Sequence, residues 1–132
     1  MKRKYTVSVL VGLVVLLTTI ILFGTKKENA ILQLVDTEIL TEMMKSKEDI
    51  LIIDVREEEL FKSGRVPDSI NIPFEQIKSR YRQLPADKKI VFVCHVGIMG
   101  TESGDLLIKN GYKQVFNLKG GMDAWIGELE AD

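Results

Sequence analysis

The sequence has 132 residues, of which 45% are hydrophobic and 28% are charged, with one cysteine and one histidine. This length suits a single domain and excludes a large barrel or a multidomain enzyme, and the charged fraction excludes wholesale disorder. A lone cysteine excludes an internal disulfide and a cysteine-rich zinc framework, and a lone histidine excludes a multi-histidine metal site. We therefore expect neither a metal nor a dedicated cofactor.

The net charge of −1 hides an uneven distribution of charge along the chain. Five of the 18 lysines and arginines, but none of the 19 acids, precede residue 28, which leaves 13 basic residues against 19 acidic ones in the remainder. The part of the chain that we expect to fold is therefore acidic. Because nucleic-acid binding relies on basic surfaces, we expect no nucleic-acid partner.

Residues 7–23 form an apolar segment without any charged residue. With Tyr5 and Thr6 the segment would span about 28 Å as a helix, close to the roughly 30 Å hydrocarbon core of a membrane. We predict an uncleaved transmembrane anchor. The alternative is a cleaved secretory signal, but the small residues that usually precede the cut are missing, since Leu22 and Glu28 stand at the −3 positions of the two candidate cuts.

The anchor divides the chain into a basic tail at residues 1–6, the anchor itself, a polar linker at residues 24–30 and a domain at residues 31–132. The tail carries three basic side chains and the amino terminus, whereas the linker carries two lysines. Because the more basic flank stays on the cytoplasmic side, we predict a single-pass membrane protein. We expect the N-terminus in the cytoplasm and the domain on the other side of the membrane.

Hydrophobic periodicity predicts alternating strands and helices along the domain. The predicted strands span residues 31–35, 50–55, 69–72, 90–94 and 115–118. The predicted helices span residues 37–44, 57–62, 74–84, 101–110 and 122–129. This alternation indicates an α/β fold with a mostly parallel sheet and helices on both of its faces. Such sheets bind ligands at the carboxyl ends of their strands, where Arg56 and Cys94 stand.

Cys94 lies between the end of a predicted buried strand and the start of a predicted helix. Gly97 and Gly100 allow the intervening loop to curl, so that successive backbone N–H groups converge on the sulfur. Together with the positive end of the helix, this arrangement would stabilise a thiolate or persulfide anion. The alternative is an inert buried thiol, since free cysteine is among the most buried residue types.

Several short motifs between residues 50 and 125 stand in the order and spacing of one protein family. They are Asp54-Val55-Arg56-Glu57, Phe61, Gly64, Val66-Pro67, Asn71-Ile72-Pro73, Val93-Cys94-x-x-Gly97, Ser103-Gly104, Leu107, Gly111-Tyr112, Val115 and Leu118-x-Gly120-Gly121-x-x-x-Trp125. This set resembles the rhodanese-like domain family. The resemblance implies a rhodanese-like α/β fold, here preceded by one transmembrane helix.

The resemblance also implies sulfur transfer. Cys94 would attack a sulfane-sulfur donor, become a persulfide and pass the sulfur to a thiol or to cyanide. The rest of the substrate-binding loop would be formed by His95, Val96, Gly97, Ile98, Met99 and Gly100. The loop from Cys94 to Met99 has the six-residue length of the sulfur-transferring members, whereas related phosphatases have a longer loop that ends in arginine.

The loop departs from the family pattern at its end. Met99 stands where members active on thiosulfate commonly have arginine, and Gly100 stands where they have serine or threonine. Because methionine cannot bind an oxyanion with two parallel hydrogen bonds as arginine does, we expect uncharged or polysulfide donors in place of thiosulfate.

Two residues outside the loop, together with His95 of the loop itself, could line its mouth. Arg56 and Lys119 follow predicted strands and could partly replace the missing arginine. The alternative for Arg56 is an internal ion pair, for instance with Asp54. His95 is expected to line the mouth and not to form a dyad with Cys94, because adjacent loop residues generally point apart.

We therefore predict a membrane-anchored sulfurtransferase whose partners are a sulfane-sulfur donor and a thiol acceptor. Because an extracytoplasmic thiol meets oxidants, a reducing partner is also conceivable. One alternative is a catalytically silent rhodanese-like module that binds a partner or senses redox state. A phosphatase or arsenate reductase on the same fold is a further alternative, which the absence of arginine between Cys94 and Asn110 disfavours.

Overall fold

The computed structural model describes residues 11–12, 29–46 and 48–132. Apart from residues 11 and 12, the predicted anchor at residues 7–23 lies outside these ranges, and so does most of the predicted linker. Among the residues that the structure describes, no helix is both long enough and apolar enough to cross a membrane. The anchor and the domain boundaries therefore stay predictions.

In the part of the domain that the structure describes, five parallel strands form one sheet. The strands are β1 (Gln33–Val35), β2 (Ile50–Asp54), β3 (Ile70–Asn71), β4 (Lys89–Val93) and β5 (Val115–Leu118). Their order across the sheet is β1-β5-β4-β2-β3. β4 lies at the centre, where Ile52 pairs with Val91 on one side and Val91 pairs with Phe116 on the other.

Helices cover both faces of this sheet. They are α1 (Thr37–Lys45), α2 (Glu58–Ser63), α3 (Phe74–Arg80) and α4 (Ile98–Lys109), with short 3-10 turns at Tyr81–Gln83 and Gly121–Ala124. Side chains alternate along β4, because successive residues of a strand point to opposite faces. Ile90 and Phe92 belong to the core cluster that includes α3 and α4, and Val91 and Val93 belong to the cluster that includes α1. The predicted α/β fold with a parallel sheet flanked by helices is confirmed.

Local signals explain where α1 begins and which face it buries. The carboxylate of Asp36 accepts a hydrogen bond from the Ile39 amide at 3.0 Å, which caps the first turn. Leu40 and Met43, three residues apart, are buried against the sheet. Burying a side chain of this size stabilises the fold by roughly 1.5–3 kcal/mol.

The predicted helix at residues 122–129 is wrong. Only the 3-10 turn Gly121–Ala124 forms, and Trp125 leaves helical geometry with φ −73° and ψ 122°. The Trp125 indole then donates to the Glu128 carbonyl at 2.9 Å and packs against the α1-side cluster. The chain continues as an extended tail. The apolar residues that suggested a helix therefore lie in the 3-10 turn and in this tail.

That C-terminal tail is held by Arg65. The backbones of Arg65 and Glu130 exchange hydrogen bonds of 2.9 and 3.0 Å. The Arg65 guanidinium also pairs with Glu130 at 2.7 Å and with Asp132 at 2.9 Å, and it stacks over Phe61. The hydrogen bond from Arg65, followed by one from the Asp68 amide, holds the pKa of Glu130 below its ordinary value.

The predicted strands and the other predicted helices are confirmed with shifts of one or two residues at their ends, apart from two helices that differ more. The predicted helix at residues 74–84 is divided into α3 and the 3-10 turn Tyr81–Gln83. The helix predicted to start at residue 101 begins at Ile98, because the Gly97 carbonyl already accepts the Thr101 amide at 3.0 Å. The earlier start brings the N-terminal end of α4 close to Cys94.

Candidate active site

Cys94 lies at the carboxyl end of β4, the central strand of the sheet. Its side chain is buried, with 1% of the residue exposed, and it belongs to the core cluster on the α3 and α4 face. Because all five strands are parallel, their carboxyl ends meet at one edge, where α/β proteins bind ligands. The only cysteine of the chain therefore stands at the edge where the fold favours chemistry.

The loop that follows turns one backbone amide toward the sulfur. The Gly97 amide donates a hydrogen bond to Cys94 Sγ at 3.0 Å. Gly97 has φ 102°, a left-handed conformation that favours glycine, and it caps the N-terminus of the 12-residue helix α4. The sulfur thus faces both a backbone donor and the positive end of a helix dipole, and both stabilise negative charge there.

The 3-10 turn after β5 holds the first two peptide groups of the loop. The Met122 amide donates to the Cys94 carbonyl at 2.7 Å, and the Asp123 amide donates to the His95 carbonyl at 3.1 Å. Gly121 makes this contact possible, since a Cβ at this position would lie 2.2 Å from the Cys94 carbonyl oxygen. Gly121 therefore fits the turn tightly under the loop.

The rim of the loop is largely apolar. Val96 and Ile98 are exposed by 52% and 65%, and Met99 is half-buried against the α3 and α4 cluster. His95 is exposed beside them, whereas Gly97 and Gly100 are buried. Three of the five residues that follow Cys94 therefore present apolar side chains that are exposed or partly exposed.

Lys119 lies at the same edge, directly after β5. Its side chain is exposed, and its amide donates to the Val35 carbonyl at 2.8 Å. The neighbouring Gly120 amide nitrogen lies 3.4 Å from the position that a Cβ on Gly97 would take. The structure thus brings the backbone at Lys119 next to the cysteine loop, as expected from the strand order.

Arg56 takes the alternative that the sequence left open, the internal ion pair. Its guanidinium contacts the Asp54 carboxylate at 2.6 Å and donates to the Gly64 carbonyl at 2.8 Å. Both side chains of the pair are almost fully buried. The structure does not direct the Arg56 guanidinium at the cysteine loop, because these two acceptors hold it within its own loop.

Asn117, in the third position of β5, was not predicted from the sequence to belong to the site. Its side chain is buried, and its amide donates to the Gly97 carbonyl at 2.8 Å and to Thr101 Oγ1 at 3.0 Å. The signal was present, since Asn117 is the one polar residue in the strand Val-Phe-Asn-Leu. A polar side chain within a buried strand needs a partner, and here the partner is the cysteine loop.

Comparison with known proteins gives a family match over most of the described domain. Residues 36–128 match the rhodanese-like domain. A protein named sulfurtransferase from Allochromatium vinosum is 32% identical over 91 residues, which cover 69% of this chain and 85% of that protein. A putative sulfurtransferase, YtwF, from Bacillus subtilis is 35% identical over 96 residues, which cover 73% of this chain and 92% of that protein.

Other relatives are more distant but consistent. The thiosulfate sulfurtransferase GlpE from Pseudomonas syringae is 29% identical over 75 residues, covering 57% of this chain and 71% of that protein. The crystal structure of a rhodanese-like domain protein from Staphylococcus aureus superposes with a TM-score of 0.69 at 27% identity. That match covers 76% of this chain and 98% of the other.

Proposed function

Because the chain belongs to the rhodanese-like domain family, we propose that it is a sulfurtransferase that carries sulfane sulfur as a persulfide on Cys94. The observation that carries this proposal is the hydrogen bond from the Gly97 amide to Cys94 Sγ, in the turn that begins α4. The similarity to proteins named sulfurtransferase supports the same reaction. The proposal needs no oxidant, because the sulfur atom is transferred at the oxidation level of zero that it already has in the donor.

The reaction has two displacement steps. The Cys94 thiolate attacks the outer sulfur of a donor, the sulfur–sulfur bond of the donor breaks, and the donor thiolate leaves with the electron pair. An acceptor thiolate or cyanide then attacks the outer sulfur of the persulfide, and the Cys94 thiolate leaves. In both steps the loop amides and the end of α4 stabilise the negative charge on sulfur.

The apolar rim favours uncharged or polysulfide donors over thiosulfate. An arginine at position 99 would bind an oxyanion through two parallel hydrogen bonds, whereas Met99 offers a thioether. Val96 and Ile98 add further exposed apolar surface beside the sulfur. The buried ion pair of Arg56 with Asp54 leaves that arginine committed elsewhere.

A second candidate function is a catalytically silent module that binds a partner or senses redox state. Met99 and the 1% exposure of Cys94 favour it, because both make it harder for a charged donor to bind. One experiment separates the two functions. The reduced full-length protein is incubated with polysulfide or with thiosulfate, and its intact mass is measured beside that of Cys94→Ser.

A mass gain of one sulfur atom that cyanide removes, and that Cys94→Ser lacks, is the expected result for a sulfurtransferase. Polysulfide should produce the gain at lower concentration than thiosulfate. If a folded, reduced protein gains no sulfur from either donor, the sulfurtransferase proposal fails and the silent module takes its place.

We further propose that residues 7–23 anchor the protein in a membrane, with the N-terminus in the cytoplasm and the domain outside. The length and uniform apolarity of the segment and the basic tail before it support this topology. Protease added to intact spheroplasts should digest the domain. A domain that resists protease until the membrane is dissolved would overturn the orientation, and a domain recovered in the soluble fraction would overturn the anchor.

A further inference from the structure

We propose that Asn117 is a positioning residue for sulfur transfer, because it fixes the direction of the peptide group between Gly97 and Ile98. This inference rests on the proposed function of Cys94. It assigns a role in the reaction to a residue that lies on another strand and does not contact the sulfur.

Asn117 holds the Gly97 carbonyl together with Thr101. The carbonyl oxygen accepts from Asn117 Nδ2 at 2.8 Å, from Thr101 Oγ1 at 2.9 Å and from the Thr101 amide at 3.0 Å. Asn117 Nδ2 also donates to Thr101 Oγ1 at 3.0 Å, so the three groups form one closed network. The three hydrogen bonds together fix the orientation of the Gly97 carbonyl group.

The direction of this carbonyl determines what the sulfur meets. In a planar trans peptide the C=O and the following N–H point in opposite directions. When Asn117 and Thr101 draw the Gly97 oxygen into the body of α4, the Ile98 N–H points out of the helix N-terminus. Amides in the first turn of a helix have no acceptor within the helix, so this one is available to an anion in the cysteine loop.

The orientation of the Asn117 amide group follows from the same network. Reversing it would set its oxygen against the Gly97 carbonyl, which is also an acceptor. In the observed orientation Asn117 Oδ1 is buried without a hydrogen-bond donor among the described residues. A buried acceptor without a partner is unfavourable. Packing therefore does not explain an asparagine here, whereas the donor contacts do.

Gly100 completes the arrangement. A Cβ at Gly100 would lie 2.0 Å from Asn117 Oδ1, so any side chain there would displace the asparagine. The glycine at this position therefore makes room for Asn117. The two residues act as a pair that sets the position of α4 relative to Cys94.

The test compares Asn117→Ala with Asn110→Ala in the full-length protein. Asn110 is the matched control, because it is also an asparagine bonded to α4, but at the helix's other end. Its Nδ2 donates to the Leu106 carbonyl at 2.8 Å, and its Oδ1 accepts from the Tyr81 hydroxyl at 2.9 Å. Three quantities are measured: the thermal unfolding midpoint, the pH midpoint of Cys94 alkylation by iodoacetamide, and the rate of persulfide formation with polysulfide.

Asn117→Ala should slow persulfide formation about tenfold and raise the pH midpoint of alkylation, since one well-placed hydrogen bond stabilises an anion by about this factor. Asn110→Ala should lower the thermal midpoint and leave both cysteine readouts unchanged. If Asn117→Ala lowers only the thermal midpoint, Asn117 is a structural residue and the inference fails.

Thr101→Val gives a second variant in case Asn117→Ala does not fold. It removes the hydroxyl donor to Gly97 and should move both cysteine readouts in the same direction by a smaller amount; unchanged readouts would overturn the inference. The alkylation profile needs no sulfur donor. A wild-type protein that forms no persulfide would refute the proposed function, while the effect of Asn117→Ala on alkylation would still report the positioning role.

Discussion

Two neighbouring strand ends of this domain use burial in opposite ways. β2 and β4 run side by side, with Asp54 paired to Val93, and each strand leads into a buried polar group. After β2 the Asp54 carboxylate and the Arg56 guanidinium neutralise each other. After β4 the Cys94 sulfur receives a hydrogen bond from the backbone of its own loop.

This difference in hydrogen-bond partners distinguishes a structural ion pair from a group suited to catalysis at the same edge of the sheet. A buried charge with a side-chain partner already in place is complete and has no capacity for a substrate. The buried Cys94 sulfur lies beside a backbone amide donor and the N-terminus of a helix, and both stabilise negative charge on sulfur. The β2 end therefore stabilises the fold, and the β4 end is suited to a transient anion.

The largest expected effect comes from breaking the β2 end. Asp54→Ala leaves the Arg56 charge buried without its partner, which should destabilise the protein by about 3–5 kcal/mol. Urea unfolding followed by circular dichroism measures the loss. Asp49→Ala is the control, because it breaks an exposed ion pair with Lys88, and such pairs contribute little. Equal losses in the two variants would contradict a structural role for the buried pair.

The next effect comes from the turn beneath the β4 end. Gly121→Ala should destabilise the protein by about 2 kcal/mol or more, since it combines a left-handed backbone with a clash against the Cys94 carbonyl oxygen. Persulfide formation should be lost as well. Gly111→Ala is the matched control, because Gly111 has φ 92° but open space around it. Gly111→Ala should lose stability but keep normal persulfide formation. A Gly121→Ala protein with normal sulfur transfer would show that the turn does not shape the site.

A third change alters the chemistry at the β4 end. Met99→Arg should raise thiosulfate turnover about tenfold, because a guanidinium supplies charge-assisted hydrogen bonds to an oxyanion. Met99→Gln is the control, since it is polar and of similar length but carries no charge. Turnover is measured with cyanide as acceptor. The donor preference would need another explanation if arginine and glutamine behaved alike.

The smallest expected effect concerns the C-terminal tail, which belongs to neither strand end. The pKa of Glu130 is lowered by Arg65 in the folded state. The stabilisation is therefore full above the carboxylate's unfolded pKa and is lost as pH falls through the lower folded value. Below a pH of about 4 the wild type should lose thermal stability more steeply than Glu130→Gln. Glu128→Gln, at an exposed position in the same tail, should follow the wild-type curve, and three identical curves would refute the coupling.

The sequence predicted the sheet and the cysteine loop because both depend on local patterns. The β-branched runs around Ile52 and Val91 mark buried strands wherever they occur, and glycines after Cys94 mark a tight turn. These signals predict the order and character of the elements, and they predict that the chemistry lies at the carboxyl edge.

The parts that could not be predicted depend on contacts between distant residues. Residues 122–129 have the composition of a helix, but Arg65 captures the tail in an extended form through Glu130. Asn117 lies 20 residues from the Gly97 carbonyl to which it donates. The partner of Arg56 was a choice between two alternatives, and only the three-dimensional arrangement decided it.

The order of the strands has a consequence for how the protein is made. Among the described residues, β1 is the first strand and pairs with β5 alone. The groups that hold the cysteine loop, at Asn117 and Met122, also follow Cys94 in the chain. During synthesis the cysteine therefore emerges before the residues that enclose it. A nascent chain that ends before β5 contains the Cys94 thiol but not the residues that hold the cysteine loop. Its sulfur is therefore exposed to oxidation until β5 has joined the sheet.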